Sequence, residues 1–330
     1  MLVVVDITRL SLCAINGLPY SSPMKPKNFL WEFFMPADQI IADRPRRSAM
    51  YTPGANKRAL EKGREVPADI LIMDLEDGVA PDAKASARVN ILQVLGEGGY
   101  GRREIGVRIN GMGSEWYEQD VAAVATSGAN MIVVPKVDAP DTVVKVAMHL
   151  EAANAPVDMQ IWCMIETARG VLNVNTIAAA HPRVGALLIG SADLTKDLKA
   201  QHVPDRLPLM TSIQLCILAA RANHLTILDS PFFDLSDDEG FVGSCRQGRA
   251  MGFDGKTLLH PKTVAGANTI FGPSREEIDW AHKITNAHQM ALAEGSGVTL
   301  VDGQLVEGLH VEEAQRLVRM AETIKELEGT

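Results

Sequence analysis

From residue 46 onward, short apolar runs alternate with longer stretches whose apolar residues recur at helical spacing. The runs are "RRSAMYTPG" (46–54), "DILIMDLEDG" (69–78), "EIGVRIN" (104–110), "NMIVVPKV" (130–137), "QIWCMIET" (160–167), "VGALLIGSADL" (184–194), "LTILDSP" (225–231) and "GKTLLHP" (255–261). Each is nearly continuous in apolar residues, many of them β-branched, which is how a parallel strand covered on both faces reads. The stretches between them suit helices. "PDAKASARVNILQVLGEGG" opens on Pro81, closes on glycines and sets Val89, Leu92 and Leu95 at helical spacing. "APDTVVKVAMHLEAA" sets Val143, Val146 and Leu150 on one face.

Eight strand–helix units over about 220 residues predict an α/β fold, a (β/α)8 TIM barrel. A doubly wound sheet is the competing architecture, but no glycine-rich dinucleotide fingerprint follows the first strand. After residue 270 the rhythm changes. "SREEIDWAHKITNAHQMALAEG" opens on a Ser274/Glu277 capping box, "VTLVDGQLV" has the Asp302-Gly303 signature of a hairpin, and "VEEAQRLVRMAETIKELEG" is a second amphipathic helix. The expected organisation is an N-terminal extension (1–42), a barrel (45–270) and a C-terminal helix–hairpin–helix (271–330) acting as a lid or oligomer arm. Residues 1–42 share none of the later rhythm, and Met35 is a candidate for the true start.

Composition narrows the function classes. The chain has 330 residues, 46% of them hydrophobic, a formal net charge of -9 and no Lys/Arg run interleaved with aromatics, which argues against nucleic acid as a partner. No apolar run approaches the roughly 18 residues that a membrane span needs. Cys13, Cys163, Cys216 and Cys245 have no CxxC spacing and read as free thiols of a cytoplasmic protein.

In a barrel of this kind the chemistry sits where each strand meets the loop that follows it. Those ends carry Tyr51, then Asp74, Glu76 and Asp77, then Arg108 and Asn110, Lys136, Glu166, Ser191 and Asp193, Asp229 and His260. The eight histidines form no HxH or HExxH pair, so an oxygen-rich site for Mg2+ or Mn2+ fits better than zinc. Glu166 and Asp193 end neighbouring strands and form the natural pair of carboxylates. Arg108 and Lys136 suggest an anionic substrate; the plainer alternative is that they only neutralise the acids of the second strand.

The motifs "RRSAMYTPGANKRALEKG", "IMDLEDGVAPDAKASAR", "VRIN", "VPKV", "IETARG", "GSADL" and "GKTLLHP" resemble, in order and spacing, the citrate lyase β-subunit-like proteins of the HpcH/HpaI aldolase–citrate lyase family, which includes malyl-CoA and citramalyl-CoA lyases. The resemblance spans roughly residues 45–328. It implies a Mg2+-dependent barrel assembled as a homotrimer or hexamer. It also implies Glu166 and Asp193 as metal ligands, Arg108 as the arginine holding substrate near the metal, and Glu76 and Asp77 as acids bonding metal-bound water. By the same resemblance Tyr51, Arg58 and Lys62 lie beside the acyl thioester or its CoA phosphates, and Leu259 and His260 contact substrate. The implied reaction is retro-Claisen cleavage, or the reverse condensation, of a 3-hydroxyacyl-CoA, with acyl-CoA and a 2-oxo acid such as glyoxylate or pyruvate as partners. Arg108 stabilises the developing negative charge, and a further group moves a proton at the thioester α-carbon. In the lyases that group is an Asp from the C-terminal extension of a neighbouring subunit; here Glu307 stands in its place, one methylene longer. Three other readings stay open: a citrate lyase β-subunit working on a carrier-bound citryl thioester, a CoA-free 4-hydroxy-2-oxo acid aldolase, and an acyl-CoA-binding barrel without turnover.

Overall fold

A computed structural model describes residues 44–329. The expected N-terminal extension, the start at Met35 and Cys13 lie outside the described residues. Eight parallel strands close into a barrel in sequence order: β1 Ser48–Pro53, β2 Ile70–Asp74, β3 Glu104–Arg108, β4 Met131–Val134, β5 Gln160–Ile165, β6 Val184–Ile189, β7 Thr226–Asp229 and β8 Gly255–Leu258. β8 closes the ring against β1, with Ala49 opposite Thr257. Each expected strand is present, and the architecture is the (β/α)8 barrel with its C-terminal extension.

Side chains alternate across a strand, so each strand feeds two cores. Ile70, Ile72, Met131, Val133, Trp162, Met164, Ala186, Leu188 and Leu228 fill the inside of the barrel. Leu71, Met73, Ile132, Val134, Ile161, Cys163, Leu187 and Ile227 point outward and join the helices in the larger core. A strand buried on both faces has no polar side to mark it, which is why these strands read as unbroken apolar runs. Following the inward row one step past its apolar layer leads from Ile72 to Asp74 and from Met164 to Glu166. The fold itself therefore aims those acids over the barrel's C-terminal mouth.

Helix Pro140–Ala152 buries Val143, Val146 and Leu150 as its spacing predicts. Helix Lys84–Glu97 forms but turns a different face inward: Ala87, Ile91 and Val94 are buried, whereas Val89 is 63% exposed. The reason lies at Gly54. A Cβ there would meet Asp74 O at 2.8 Å, Ile91 Cδ1 at 2.8 Å and Ala87 Cβ at 3.2 Å. The small Ala87 lets the helix approach the end of β1, and this close fit outweighs the bulk of Val89 and Leu92.

The C-terminal elements also form. Ser274 and Glu277 complete the capping box of helix Arg275–Ala293. β9 Thr299–Val301 and β10 Gln304–Val306 pair antiparallel, and Asp302 (φ 50°) and Gly303 (φ 80°) take the left-handed pair of a tight hairpin turn. Helix Gly308–Glu328 follows, and Ala281, Ile284, Val301, Val306, Val311 and Ala314 make a core of their own. Cys163, Cys216 and Cys245 are buried free thiols, and no helix among the described residues is long and apolar enough to cross a membrane.

Candidate active site

A cleft of about 310 Å³ opens at the C-terminal ends of the strands. Tyr51, Asp74, Asp77, Arg108, Glu166, Asp193 and Leu259 line it, with Met164, Ile189, Pro231 and Phe233 as an apolar wall. Its best-defined element is Arg108. Asp74 lies opposite Arg108 in the β2–β3 register, and both face inward. Arg108 Nε and Nη2 each donate to an Asp74 carboxylate oxygen at 2.7 Å, a bidentate pair, and Nη1 lies 3.1 Å from Glu76 Oε2. The guanidinium sits over the Tyr51 ring, 4.7 Å from its centroid. A guanidinium has five N–H donors. Three engaged contacts leave two for a ligand in the cleft.

The acidic loop after β2 is braced from below. Asp74 accepts from the backbone N–H groups of Glu76 and Gly78, both at 2.8 Å. The buried Lys84 ammonium donates to the carbonyls of Leu75 and Glu76, both at 2.8 Å, and lies over the Trp116 ring. Lys136 Nζ donates to Glu76 Oε1 at 2.7 Å. Burial lowers the Lys84 ammonium despite Asp74 and Glu76 nearby. Burial also pushes the Glu76 carboxyl up against the pull of Arg108 and Lys136. For Arg108 the order is reversed: burial would lower it, but Asp74 holds it above its ordinary value.

Glu166 carries the clearest electrostatic signature. Burial, with the charges of Glu76 and Asp193, pushes its carboxyl up to about 7 against the hydrogen bond from the Lys136 N–H. That N–H donates to Oε1 at 2.7 Å; among the described residues Oε2 and the Asp193 carboxylate have no hydrogen-bond donor. Five carboxylates (Asp74, Glu76, Asp77, Glu166, Asp193) face two cations (Arg108, Lys136) around the mouth. Among the described residues no group of three or more His, Cys, Asp or Glu side chains is set to enclose a metal. Two hard oxygen ligands with an excess of negative charge fit Mg2+ instead, since that ion keeps waters and substrate oxygens on its remaining positions. Glu166 and Asp193 are the residues that would hold it.

The expected site residues divide into two groups. Tyr51, Asp77, Arg108, Glu166, Asp193 and Leu259 line one cleft, and Glu76 sits directly behind Arg108. Arg58 and Lys62 are exposed on helix Lys57–Lys62, one turn apart and outside the cleft lining. His260 is also outside it: its Nδ1 accepts from the Lys262 N–H at 3.1 Å and caps the turn Pro261–Thr263. Glu307 is half-buried at the start of the last helix, its backbone N–H bonded to His310 Nδ1, and does not reach the cleft of its own chain. Strand-end Asp229 faces outward, buried against Lys256 and Arg206.

Three roles were not legible in the sequence. Asp74 clamps Arg108, Lys84 pins the acidic loop, and Gly190 makes room for Glu166, whose Oε2 would collide with any Cβ there. Only Lys84 had a signal, a lysine in the first turn of a helix directly after an acidic loop.

Residues 47–261 match the HpcH/HpaI aldolase/citrate lyase family, whose namesake reactions break a carbon–carbon bond. A (3S)-malyl-CoA thioesterase of Cereibacter sphaeroides is 45% identical over 280 residues, 85% of this chain and 96% of that one. An L-malyl-CoA/beta-methylmalyl-CoA lyase of the same species is 34% identical over 309 residues, again 85% and 96%. The crystal structure of CitE from Mycobacterium tuberculosis in complex with magnesium, acetoacetate and coenzyme A superposes with a TM-score of 0.70 at 25% identity, covering 85% of this chain and 99% of that one. With the barrel, the rim acids and the arginine clamp already in place, these likenesses make the chain a member of the HpcH/HpaI aldolase/citrate lyase family.

Proposed function

We propose that the protein is a Mg2+-dependent CoA-ester lyase that cleaves, or forms by condensation, a 3-hydroxyacyl-CoA of the malyl or citramalyl type. The products are acyl-CoA and glyoxylate or pyruvate. The observation that carries this reading is the meeting in one cleft of Glu166 and Asp193 with an arginine clamped by Asp74 and Glu76. When bound there, Mg2+ supplies Lewis-acid charge for the carboxylate and carbonyl oxygens of the 2-oxo acid. Arg108 directs its two remaining donors at the oxygen where negative charge develops, already oriented before the reaction begins. The apolar wall of Met164, Ile189, Phe233 and Leu259 takes the acyl portion. Arg58 and Lys62, exposed and one turn apart, are placed for CoA phosphates. Glu307 of a second copy, in a homotrimer or hexamer, moves the proton at the thioester α-carbon.

Hydrolysis of the same thioester is the second reading, favoured by the 45% identity to the thioesterase against 34% to the lyase. One experiment separates the two. Purified protein with Mg2+ is given malyl-CoA; a thiol reagent reads free CoA, and phenylhydrazine traps glyoxylate. Glyoxylate without thiol marks the lyase, and thiol without glyoxylate marks the thioesterase. Either one, with no carrier protein added, excludes the obligate citrate lyase subunit. Saturable CoA binding with neither product would sink both enzymatic readings.

A further inference from the structure

Lys136 bonds to Glu166 through its backbone and to Glu76 through its side chain, and has no part in the chemistry above. Its backbone is left-handed, φ 51°, a conformation uncommon for a residue with a Cβ. The cause is local. Val134 pairs opposite Cys163, and the Val137 N–H donates to Met164 O at 3.2 Å. In a parallel ladder an N–H bonds the carbonyl opposite the preceding residue, so Lys136 lies level with Met164. Two steps after Val134 therefore match one step after Cys163, and the one surplus residue makes a bulge at Pro135–Lys136. Bulges re-aim what they carry. Here the Lys136 N–H leaves the sheet ladder and donates to Glu166 Oε1 at 2.7 Å, while Nζ donates to Glu76 Oε1, also at 2.7 Å. The other oxygen of Glu76 faces Arg108.

We propose that Lys136 is a positioning residue that sets the metal ligand and the substrate arginine together, its left-handed backbone orienting Glu166 and its ammonium holding Glu76 against Arg108. The proposal rests on the reading of Glu166 and Arg108 given above, but each half has a test that needs no turnover. The backbone half concerns φ. Asn tolerates the left-handed region and a β-branched residue does not. Lys136→Asn therefore keeps Mn2+ affinity within about threefold, read by electron paramagnetic resonance on the full chain, whereas Lys136→Val weakens it about tenfold or more. The side-chain half concerns charge. Lys136→Met keeps the N–H and a straight side chain but frees Glu76. Glyoxylate affinity at saturating Mg2+, read by calorimetry, then falls about tenfold with Mn2+ affinity unchanged, and Lys136→Arg restores most of it. In turnover the Met loss lowers kcat as well as raising KM, because Arg108 meets both the bound 2-oxo acid and the oxygen on which negative charge develops.

Thermal unfolding of each variant checks that it is folded. Wild-type Mn2+ affinity in a folded Lys136→Val protein overturns the backbone half. Wild-type glyoxylate affinity in Lys136→Met overturns the other. A wild-type protein that binds Mn2+ and glyoxylate yet turns over neither thioester would refute the proposed reaction and leave Lys136's role supported. One that binds neither would refute both.

Discussion

The two ends of the barrel use the same chemistry for different ends. At the N-terminal end Arg46 donates bidentately to Glu104 and lies over Trp162, Arg47 donates bidentately to Asp69 and reaches Glu328, and Arg44 pairs with Glu104. Three arginines meet three acids. At the C-terminal end Arg108 is held by Asp74 as tightly, but five acids face two cations and a cleft opens above them. A balanced set of charges, with Arg46–Glu104 and Arg47–Asp69 buried and Arg44 and Glu328 at the rim, closes a barrel. An unbalanced set keeps a standing demand for positive charge, which a proton on Glu166 or a bound cation can meet. A buried bidentate pair is therefore no sign of a site by itself; the surplus charge and the space beside it are.

The strongest way to break this comparison is Glu166→Ala. Removing one of the two proposed metal ligands is expected to lower kcat about a thousandfold, equivalent to roughly 4 kcal/mol of transition-state stabilisation, and to abolish Mn2+ binding. Full activity in that variant would refute the metal assignment. Next is a matched pair. Asp74→Asn and Glu104→Gln each break a buried bidentate pair, costing about 3–5 kcal/mol of stability and so roughly 10 °C in Tm. Only Asp74→Asn also lowers kcat/KM of the folded protein, about 10–100-fold by freeing Arg108. Equal kinetic losses in both would mean that the two ends do not differ as argued.

Acidity sharpens the contrast further. Because burial holds Glu166 at about 7, a proton competes with the metal. Apparent Mg2+ affinity is level above that pH and falls below it, approaching tenfold per pH unit, as calorimetry at several pH values measures. The metal-free protein behaves in the opposite sense. A carboxyl whose folded pKa lies above its unfolded one contributes stability that is complete below about 4.5 and lost as the pH rises through about 7. Thermal melts without Mg2+ lose stability across that window, and added Mg2+ restores it. The smallest effect belongs to Glu328→Ala: its carboxylate is 60% exposed opposite Arg47, so chemical unfolding registers about 1 kcal/mol or less and the kinetics are unchanged.

Much of the cleft followed from reading strand ends in order, because in a closed parallel barrel every such end faces the same mouth. Asp74 shows where that reading stops. Of the three acids within four positions, Glu76 and Asp77 were expected to serve the site and Asp74 had no assigned role, yet Asp74 is bound through both oxygens and Asp77 lines the cleft without a carboxylate partner among the described residues. What separates them is the β2–β3 register, which sets Asp74 beside Arg108. His260, at a strand end like the others, turned to cap its own turn because a local N–H was nearer than the cleft.

The sequence by itself determined the eight strands, the C-terminal helix–hairpin–helix and the residue types gathered at the mouth. Each of those is written in local terms: apolar runs, a capping box, an Asp-Gly turn. Only the tertiary structure decided which face of helix Lys84–Glu97 is buried, which acid holds Arg108, and that Lys136 turns left-handed to reach Glu166. Those outcomes depend on register and on close approach between segments distant in the chain, at Gly54 against Ala87, Gly190 against Glu166 and Val137 against Met164. No periodicity along a single segment encodes which partner it will meet.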